Sequence, residues 1–300
     1  MSPEPAYLRS DVNMAERARQ AHGHLRACDL CPHRCGVDRT AGQTGLCRTG
    51  DVAFVASHGP HYGEEAPLVG RGGSGTIFFA RCNLSCIYCQ NWDISQLDMG
   101  GEASPSELAS MMLELQSRGC HNINLVTPTH QMPMILEALD AAAMRGLSLP
   151  IVYNCGGYES VEALRLLDGI VDIYMPDLKY MDGAVASALS GAPDYPEAAM
   201  AAIEAMHRQV GDLQLDCGGI AERGLIVRHL VLPGGLAGTE AALRFIAERI
   251  SKNTYVNIMD QYHPAHKAND HPPLGRRITR QEYDEAMAIA RGLGLWRLAG

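Results

Sequence analysis

Residues 76–95 of the chain, TIFFARCNLSCIYCQNWDIS, join a strand-like apolar run to three cysteines. Cys82, Cys86 and Cys89 have the spacing C-x3-C-x2-C, and the run Thr76–Ala80 predicts that they lie on a loop at the end of a strand. Three closely spaced thiolates suit a cubane iron–sulfur cluster, which ordinarily takes four cysteine ligands. Because the loop supplies three, one iron is left open to a substrate or cofactor. The alternative is zinc bound by these cysteines and one remote residue, although zinc motifs usually contain paired C-x2-C knuckles.

Strand and helix patterns alternate from residue 74 onward. Short apolar segments with β-branched residues predict six strands, at Thr76–Ala80, Asn122–Thr127, Pro150–Asn154, Val171–Met175, Leu225–Leu232 and Tyr255–Met259. Helices are predicted at Ser106–Arg118, Met132–Met144, Ser160–Leu167, Tyr195–Val210, Thr239–Ile250 and Thr279–Arg291. Such alternation implies parallel strands with right-handed crossovers. We therefore expect an α/β fold, an open partial (β/α)6 barrel with its chemistry at the carboxyl ends of the strands.

A second group of cysteines precedes this barrel. Cys28, Cys31, Cys35 and Cys47 have the spacing C-x2-C-x3-C-x11-C in a glycine-rich segment without long periodic runs. A four-thiolate zinc site and an auxiliary iron–sulfur cluster both fit, and four unrelated buried thiols are the third interpretation. We expect residues 1–73 to form an N-terminal extension with this metal-binding segment, and residues 74–300 to form the barrel domain.

Composition narrows the classes of partner. The chain has 300 residues, ten cysteines and a net charge of −9, which argues against a general nucleic-acid or membrane-surface binder. No apolar run approaches the length of a membrane span. The first twenty residues are polar and lack the apolar core of a signal peptide, so we expect a cytoplasmic protein. Because the cytoplasm is reducing, we expect the cysteines to include metal ligands and not to form disulfides.

The cysteine loop, with Tyr88 before its third cysteine, resembles the signature of radical S-adenosylmethionine (SAM) enzymes. DLK at 177–179, RHLVLPG at 228–234 and QYHP at 261–264 are similar to motifs of the pyruvate formate-lyase activating enzyme. That enzyme lacks the four-cysteine segment. The stretches CPHRCGV, GSGTIFF, CQNWDIS, NINLVTPTH and DIYMPDLKY resemble a less characterised branch of its family that has the segment, so the resemblance is nearly full length.

This resemblance implies a [4Fe–4S] cluster whose open iron is chelated by SAM. One electron from a reduced flavodoxin- or ferredoxin-type donor then cleaves SAM to methionine and a 5′-deoxyadenosyl radical, which abstracts hydrogen from the substrate. Installation of a glycyl radical on a partner protein is the activity by analogy with the activating enzyme. A non-catalytic iron–sulfur, SAM-binding or electron-transfer protein is the alternative, and a zinc protein on an α/β scaffold is a third.

Seven further residues are candidates for holding SAM, and they are Thr127, Thr129, Asn154, Asp177, Lys179, Arg228 and His263. The threonines belong to a TPT stretch where the superfamily usually has a GGE-like motif, and hydroxyl or backbone oxygens could accept from the SAM amino group. Lys179 could bind the SAM carboxylate, and Asp177 the amino group or ribose. Inside an apolar strand, the guanidinium of Arg228 needs a ligand or a carboxylate such as Asp177.

Structural interpretations of the same residues, without any contact to SAM, also stay open. The TPT stretch could be an ordinary turn, Asp177 and Lys179 a surface ion pair, and His263 a surface or packing group instead of a contact to ribose or substrate. His58, His61, Glu64 and Glu65 in SHGPHYGEE could line a pocket or bind a metal, but their spacing matches no metal-binding template, and we expect a solvated loop there.

Overall fold

A computed structural model of the protein describes residues 4–299, so residues 1–3 and 300, at the outer ends of the two predicted segments, lie outside it. The described chain forms a ten-stranded sheet. The strands are β1 (Ala53–His61), β2 (Ser74–Phe79), β3 (Gly101–Ala103), β4 (Ile123–Val126), β5 (Ile151–Cys155), β6 (Ile173–Pro176), β7 (Gln214–Leu215), β8 (Ala221–Leu230), β9 (Tyr255–Met259) and β10 (Leu298–Ala299).

Ten α-helices accompany the sheet. They are α1 (Met14–Gly23), α2 (Ala66–Val69), α3 (Trp92–Gln96), α4 (Pro105–Ser117), α5 (Met132–Met144), α6 (Val161–Leu164), α7 (Gly183–Ser190), α8 (Tyr195–Val210), α9 (Thr239–Phe245) and α10 (Arg280–Gly292). A π-helical turn at Ile246–Ile250 continues α9. Helices α4 and α10 begin at capping boxes, in which Ser104 pairs with Glu107 and Thr279 with Glu282.

The strand order is β10-β9-β8-β6-β5-β4-β2-β1-β3, with β7 paired to the side of β8. Pairing is parallel from β2 through β4, β5, β6, β8 and β9 to β10. It is antiparallel where β1 joins β2 and β3, and where β7 joins β8. Because the order has two ends, the sheet is an open, partial barrel, and the predicted α/β fold is confirmed.

All six predicted parallel strands are present, with bounds that differ by a few residues. The sequence patterns missed β1, β3, β7 and β10, and also the short helices α2, α3 and α7. Strand β1 lies before residue 74 yet pairs with β2 from Val55↔Phe79 to His61↔Ser74. The sheet therefore continues across the expected boundary at residue 73, and the division into two domains stays a prediction.

Successive side chains along each strand point to opposite faces of the sheet and pack into two separate hydrophobic cores. On β5, Ile151 and Tyr153 join the large core between sheet and helices, whereas Val152 faces the barrel interior. The interior cluster is small and consists of Leu68, Val152, Ile173, Met175, Leu213, Ala221 and Ile226. Nearer the carboxyl ends, the polar side chains of Asn154, Asp177 and Arg228 line a pocket.

Helix α2 lies inside the barrel. Leu68 is fully buried in the interior cluster, and its carbonyl accepts a hydrogen bond from Asn122 Nδ2 at 2.9 Å. The preceding residue Glu65 accepts from Asn257 Nδ2 of β9 at 2.9 Å. The expectation of a solvated loop is therefore wrong. His58 and His61 lie on strand β1, and the segment at Glu64 and Glu65 packs against the inner face of the sheet.

Candidate metal and cofactor site

Cys82, Cys86 and Cys89 lie on the loop that leaves the carboxyl end of β2, as the sequence predicts. All three line one pocket of about 150 Å³ at that end of the barrel. Arg81, at the start of the loop, takes a positive φ of 68°, which turns the chain sharply out of the strand. Its backbone N–H donates to the carbonyl of Ile94 at 2.8 Å, so the far end of the loop is tied to its beginning.

Each sulfur has a polar neighbour. The backbone N–H of Leu84 donates to Cys82 Sγ at 3.3 Å, and Ser190 Oγ donates to Cys86 Sγ at 3.0 Å. Cys89 Sγ lies 3.4 Å from Ser95 Oγ. Donors to sulfur stabilise bound thiolates and set the reduction potential of iron–sulfur clusters.

Helix α7 fixes the middle of the loop. The backbone N–H of Ile87 donates to the Leu189 carbonyl at 2.9 Å, and that of Ser85 donates to the Ser190 carbonyl at 3.3 Å. Tyr88 is buried beneath the loop, where its hydroxyl accepts from that of Tyr180 at 2.6 Å. The cysteine loop and helix α7, which the sequence patterns missed, therefore share one hydrogen-bonded frame.

Five of the seven predicted SAM-contacting residues line the same pocket as the cysteines, and they are Thr127, Asn154, Asp177, Lys179 and Arg228. They come from the ends of four neighbouring strands, β4, β5, β6 and β8. The carboxyl ends of parallel strands meet at one edge, which brings together residues far apart in sequence.

Asp177 holds two cations in this pocket. It accepts from Lys179 Nζ at 2.6 Å and from Arg228 Nε at 2.8 Å. Arg228 also donates to Asn154 Oδ1 and lies 3.7 Å from Glu64 Oε2. The predicted carboxylate partner of Arg228 is thus present, and Asp177 and Lys179 are not a surface ion pair.

Ion pairing and burial together shift the pKa values of Asp177, Lys179 and Glu64. Burial alone would raise the pKa of Asp177, but Arg228 and Lys179 bring it below the ordinary value. Burial alone would likewise lower the pKa of Lys179, and Asp177 raises it above the usual lysine range. For Glu64, burial is the largest effect and raises the pKa to about 7, although Arg228 opposes the rise.

Thr127 has an unusual backbone for its residue type. Its φ is 59°, a left-handed conformation that glycine adopts readily and a β-branched residue rarely does. The residue follows β4 and its N–H donates to the Asn154 carbonyl at 2.9 Å. Backbone strain of this kind concentrates at functional sites.

Thr129 and His263 lie apart from the pocket lining. Thr129 is fully buried and its hydroxyl donates to Glu159, a carboxyl that also accepts from Tyr153 at 3.1 Å. His263 is exposed, with Nδ1 3.2 Å from the side-chain nitrogen of Gln90, the residue after Cys89. Their predicted contacts to SAM stay predictions.

Glu64 is a neighbour of the pocket, although the sequence favoured a solvated loop at this position. Its side chain is 9% exposed and faces Arg228 from the segment before α2. The only sequence signal is two adjacent glutamates after a glycine, and that pattern is common in solvated loops.

Cys28, Cys31, Cys35 and Cys47 line a second, small cavity together. Among residues 4–299, no three His, Cys, Asp or Glu side chains converge on a single point as the ligands of one metal ion do. Each group of cysteines lines its own cavity, of about 150 Å³ for Cys82, Cys86 and Cys89 and about 10 Å³ for the four N-terminal cysteines. A separate groove of about 750 Å³ lies between α9 and α10, and none of the cysteines lines it.

The residues present fit an iron–sulfur cluster with SAM in the first pocket. Three thiols with polar donors can hold the cluster, and oxygen acceptors together with Lys179 lie on the same pocket wall. Burial raises the pKa of the Cys86 thiol, and Lys179 opposes that rise. A cation close to the sulfurs therefore favours the thiolate form that a metal requires.

Comparison with known proteins agrees with this geometry. The family model described as the radical SAM superfamily matches residues 76–215, the span that carries the cysteine loop and the DLK motif. The chain belongs to the radical SAM superfamily. Membership implies a [4Fe–4S] cluster and SAM as cofactors, and it makes this protein a radical SAM enzyme in general class.

Two relatives extend the match over nearly the whole chain. An uncharacterized protein of Methanocaldococcus jannaschii is 33% identical over 281 residues, which cover 90% of this chain and 76% of that protein. A second uncharacterized protein of the same organism is 22% identical over 89% of this chain and 78% of its own length. Their names state no activity.

A solved structure of a radical SAM methyltransferase from Sphaerobacter thermophilus is also similar to this radical SAM protein. The TM-score is 0.49 at 15% identity, over 75% of this chain. The chain spans 65% of the length of that structure's chain. In residues 4–299, no helix has both the length and the apolar character needed to cross a bilayer.

Proposed function

We propose that this protein reductively cleaves SAM to a 5′-deoxyadenosyl radical and uses that radical to abstract hydrogen from a substrate. The observation that supports the proposal most strongly is the shared pocket of Cys82, Cys86 and Cys89 with the ion-paired group around Asp177. When bound, a cluster with an open iron supplies the electron and the coordination site for SAM. The chain itself must hold SAM and exclude water.

The pocket residues have separable roles in this proposal. Cys82, Cys86 and Cys89 hold the cluster. Lys179 offers a point charge for the SAM carboxylate, and the oxygens of Thr127 and Asn154 are acceptors for its amino group or ribose.

Three residues would support the pocket from its edges. Arg228 lines the pocket and is held in place by the carboxylates of Asp177 and Glu64. Thr129 would act by positioning its turn through Glu159, and His263 would contact ribose or substrate at the rim through its place beside Gln90.

The finer assignment is an oxidoreductase similar to the pyruvate formate-lyase activating enzyme. The DLK, RHLVLPG and QYHP motifs support it, and by analogy the substrate would be a protein that receives a glycyl radical. The electron donor would be a reduced flavodoxin- or ferredoxin-type protein. We place the reaction in the cytoplasm because the cluster chemistry is sensitive to oxygen.

Anaerobic turnover tests the proposal. Protein reconstituted with iron and sulfide, reduced and mixed with SAM, should form 5′-deoxyadenosine, whereas Cys86→Ala should form none and keep a folded barrel by circular dichroism. Cys120→Ala is the matched control, because Cys120 is buried but lines neither cysteine cavity.

Two outcomes would contradict the assignment. If Cys86→Ala formed as much 5′-deoxyadenosine as the wild type, the site would be misplaced. If the wild type bound SAM but released no 5′-deoxyadenosine under any reductant, the protein would be the non-catalytic binder instead.

A further inference from the structure

The four N-terminal cysteines line one small cavity. Cys28 and Cys47 are buried, Cys31 and Cys35 are half-buried, and Leu46 on the outer side is 58% exposed. The site therefore has a closed inner wall and an outer wall near solvent. A thin outer wall of this kind leaves room for a redox partner to approach.

The backbone around the cavity is shaped to hold sulfur. The N–H of Cys28 donates to the Val37 carbonyl at 3.0 Å, and the N–H of Gly36 returns to the Cys28 carbonyl at 2.9 Å. A Cβ at Gly45 would lie 2.6 Å from Cys35 Sγ, so only glycine fits there. These contacts fix two cysteines although the segment has little regular secondary structure.

Arg39 is a buried cation in the wall of this cavity. It is 1% exposed, and its guanidinium donates to the carbonyls of Gly50 and His130, with Nη1 3.9 Å from Cys28 Sγ. Within residues 4–299 its hydrogen-bond partners are backbone carbonyls and the Cys28 sulfur, and none is a carboxylate. A buried charge requires a compensating one, and the sulfur of Cys28 is the group beside it that can be anionic.

His130 gives a second sign of a missing group. It lines the same cavity, is 2% exposed, and its Nε2 lies 3.0 Å from the Ala80 carbonyl, so Nε2 carries the proton. Its Nδ1 is buried with no hydrogen-bond partner in the described part of the chain. Because Nε2 carries the proton, Nδ1 is an acceptor, and a buried acceptor of this kind needs a donor such as an ordered water.

The cavity shares a wall with the radical SAM loop. Asn83, the residue after Cys82, lines it, and the Asn83 carbonyl lies 2.8 Å from His33 Nε2 of the four-cysteine segment. The side chain of Asn83 is buried and donates to the Tyr158 carbonyl at 2.8 Å. Asn83 therefore connects the cysteine loop to the wall of the four-cysteine cavity.

We propose that Cys28, Cys31, Cys35 and Cys47 hold an auxiliary iron–sulfur cluster whose negative charge is compensated by Arg39. Four thiolates are the usual ligand set of such clusters. The segment contains one C-x2-C pair, whereas structural zinc sites usually contain two, so the spacing favours a cluster over zinc.

An iron–sulfur cluster beside the radical SAM loop can carry an electron, whereas a zinc ion cannot. A reduced ferredoxin- or flavodoxin-type donor would be oxidised by one electron and the auxiliary cluster reduced by one. The cluster can then pass that electron to the neighbouring site, with no bond made or broken and no proton moved.

Removing the other site isolates the new one. In the triple variant Cys82→Ala/Cys86→Ala/Cys89→Ala, anaerobic protein should keep iron and sulfide in equal amounts and give a spin-resonance signal on reduction with dithionite. Adding Cys28→Ala and Cys31→Ala should remove both. The proposal is overturned if the triple variant contains zinc, or if it contains neither metal.

The matched double variant separates this proposal from the proposed function. Cys28→Ala/Cys31→Ala alone should lose part of the iron of the wild type and keep the signal of the Cys82 site. If the double variant keeps all the iron, the auxiliary cluster does not exist, while the radical SAM assignment stands.

The charge of Arg39 has its own readout, measured in the triple variant. Arg39→Met should lower the reduction potential of the auxiliary cluster, because the cation favours the more negative reduced form, and Arg39→Lys should restore most of the shift. Equal potentials in all three proteins would overturn the role of Arg39, with the iron content of each confirming that the site is formed.

Discussion

Asp177 shows how one residue can determine the electrostatics of the site. Two buried cations, Lys179 and Arg228, depend on its carboxylate, and the side chain of each is at most 20% exposed. An apolar strand containing an arginine was enough to predict that Arg228 has a carboxylate partner. Glu64 could not be predicted in this way, because its contact with Arg228 spans the barrel interior and is set only by the folded chain.

Asp177→Asn should destabilise the protein by about 3–5 kcal/mol, since it leaves buried cations without their counter-charge. Asp284→Asn is the matched control, because its pair with Arg280 is exposed and should contribute less than about 1 kcal/mol. Urea unfolding measures both. A loss for Asp177→Asn no larger than that of the control would contradict the network described here.

His229 provides a test of the core by pH. It is buried on β8 between the Leu178 carbonyl and Thr239, and burial lowers its pKa to about 4. Between pH 6.5 and 4 the unfolded chain binds a proton that the folded chain does not, so acid favours unfolding in that window.

The stability advantage of the wild type over His229→Asn should therefore shrink by about 1.4 kcal/mol per pH unit as the pH falls from 6.5 to 4. It should be constant above that window. Unfolding free energies measured across the range check this, and a difference that does not change with pH would show that the histidine is not held neutral.

At the scale of elements, the cysteine loop depends on α7, and the sequence patterns predicted only the loop. Helix α7 begins at a glycine and is eight residues long, so its periodicity is too short to stand out. Strand β1 was missed because Gly59 and Pro60 interrupt it, although pairing with two neighbours holds it in the sheet. The six parallel strands were predictable because each is a short apolar run covered on both faces.

Ser190→Ala tests the link between α7 and the cluster site. Removing the hydroxyl that donates to Cys86 Sγ should lower the reduction potential of the cluster at Cys82–Cys89, because a donor to sulfur stabilises the reduced form. Ser187→Ala, on the same helix but exposed, should leave the potential unchanged. Redox titration followed by spin resonance distinguishes them, and an equal potential in both variants would contradict the link.

At the scale of the whole molecule, the open barrel brings five strand-end residues and three cysteines into one pocket and leaves its interior to α2. The position of the pocket follows from parallel topology and was predictable from the sequence. The entry of α2 into the barrel was not predictable from the sequence. The residues that bind this segment are Asn122, just before β4, and Asn257 on β9, which are far apart in the chain. The four-cysteine segment packs beside the same end through Asn83, so the two cysteine-lined cavities are neighbours.

The most direct test of the radical SAM site is spin resonance on anaerobic, reduced Cys28→Ala/Cys31→Ala protein, in which only the loop at Cys82–Cys89 can hold a cluster. We predict a brown protein with a [4Fe–4S] signal that changes shape when SAM is added, because SAM binds the iron that lacks a cysteine. No cluster signal, or a signal that SAM leaves unchanged, would contradict the account.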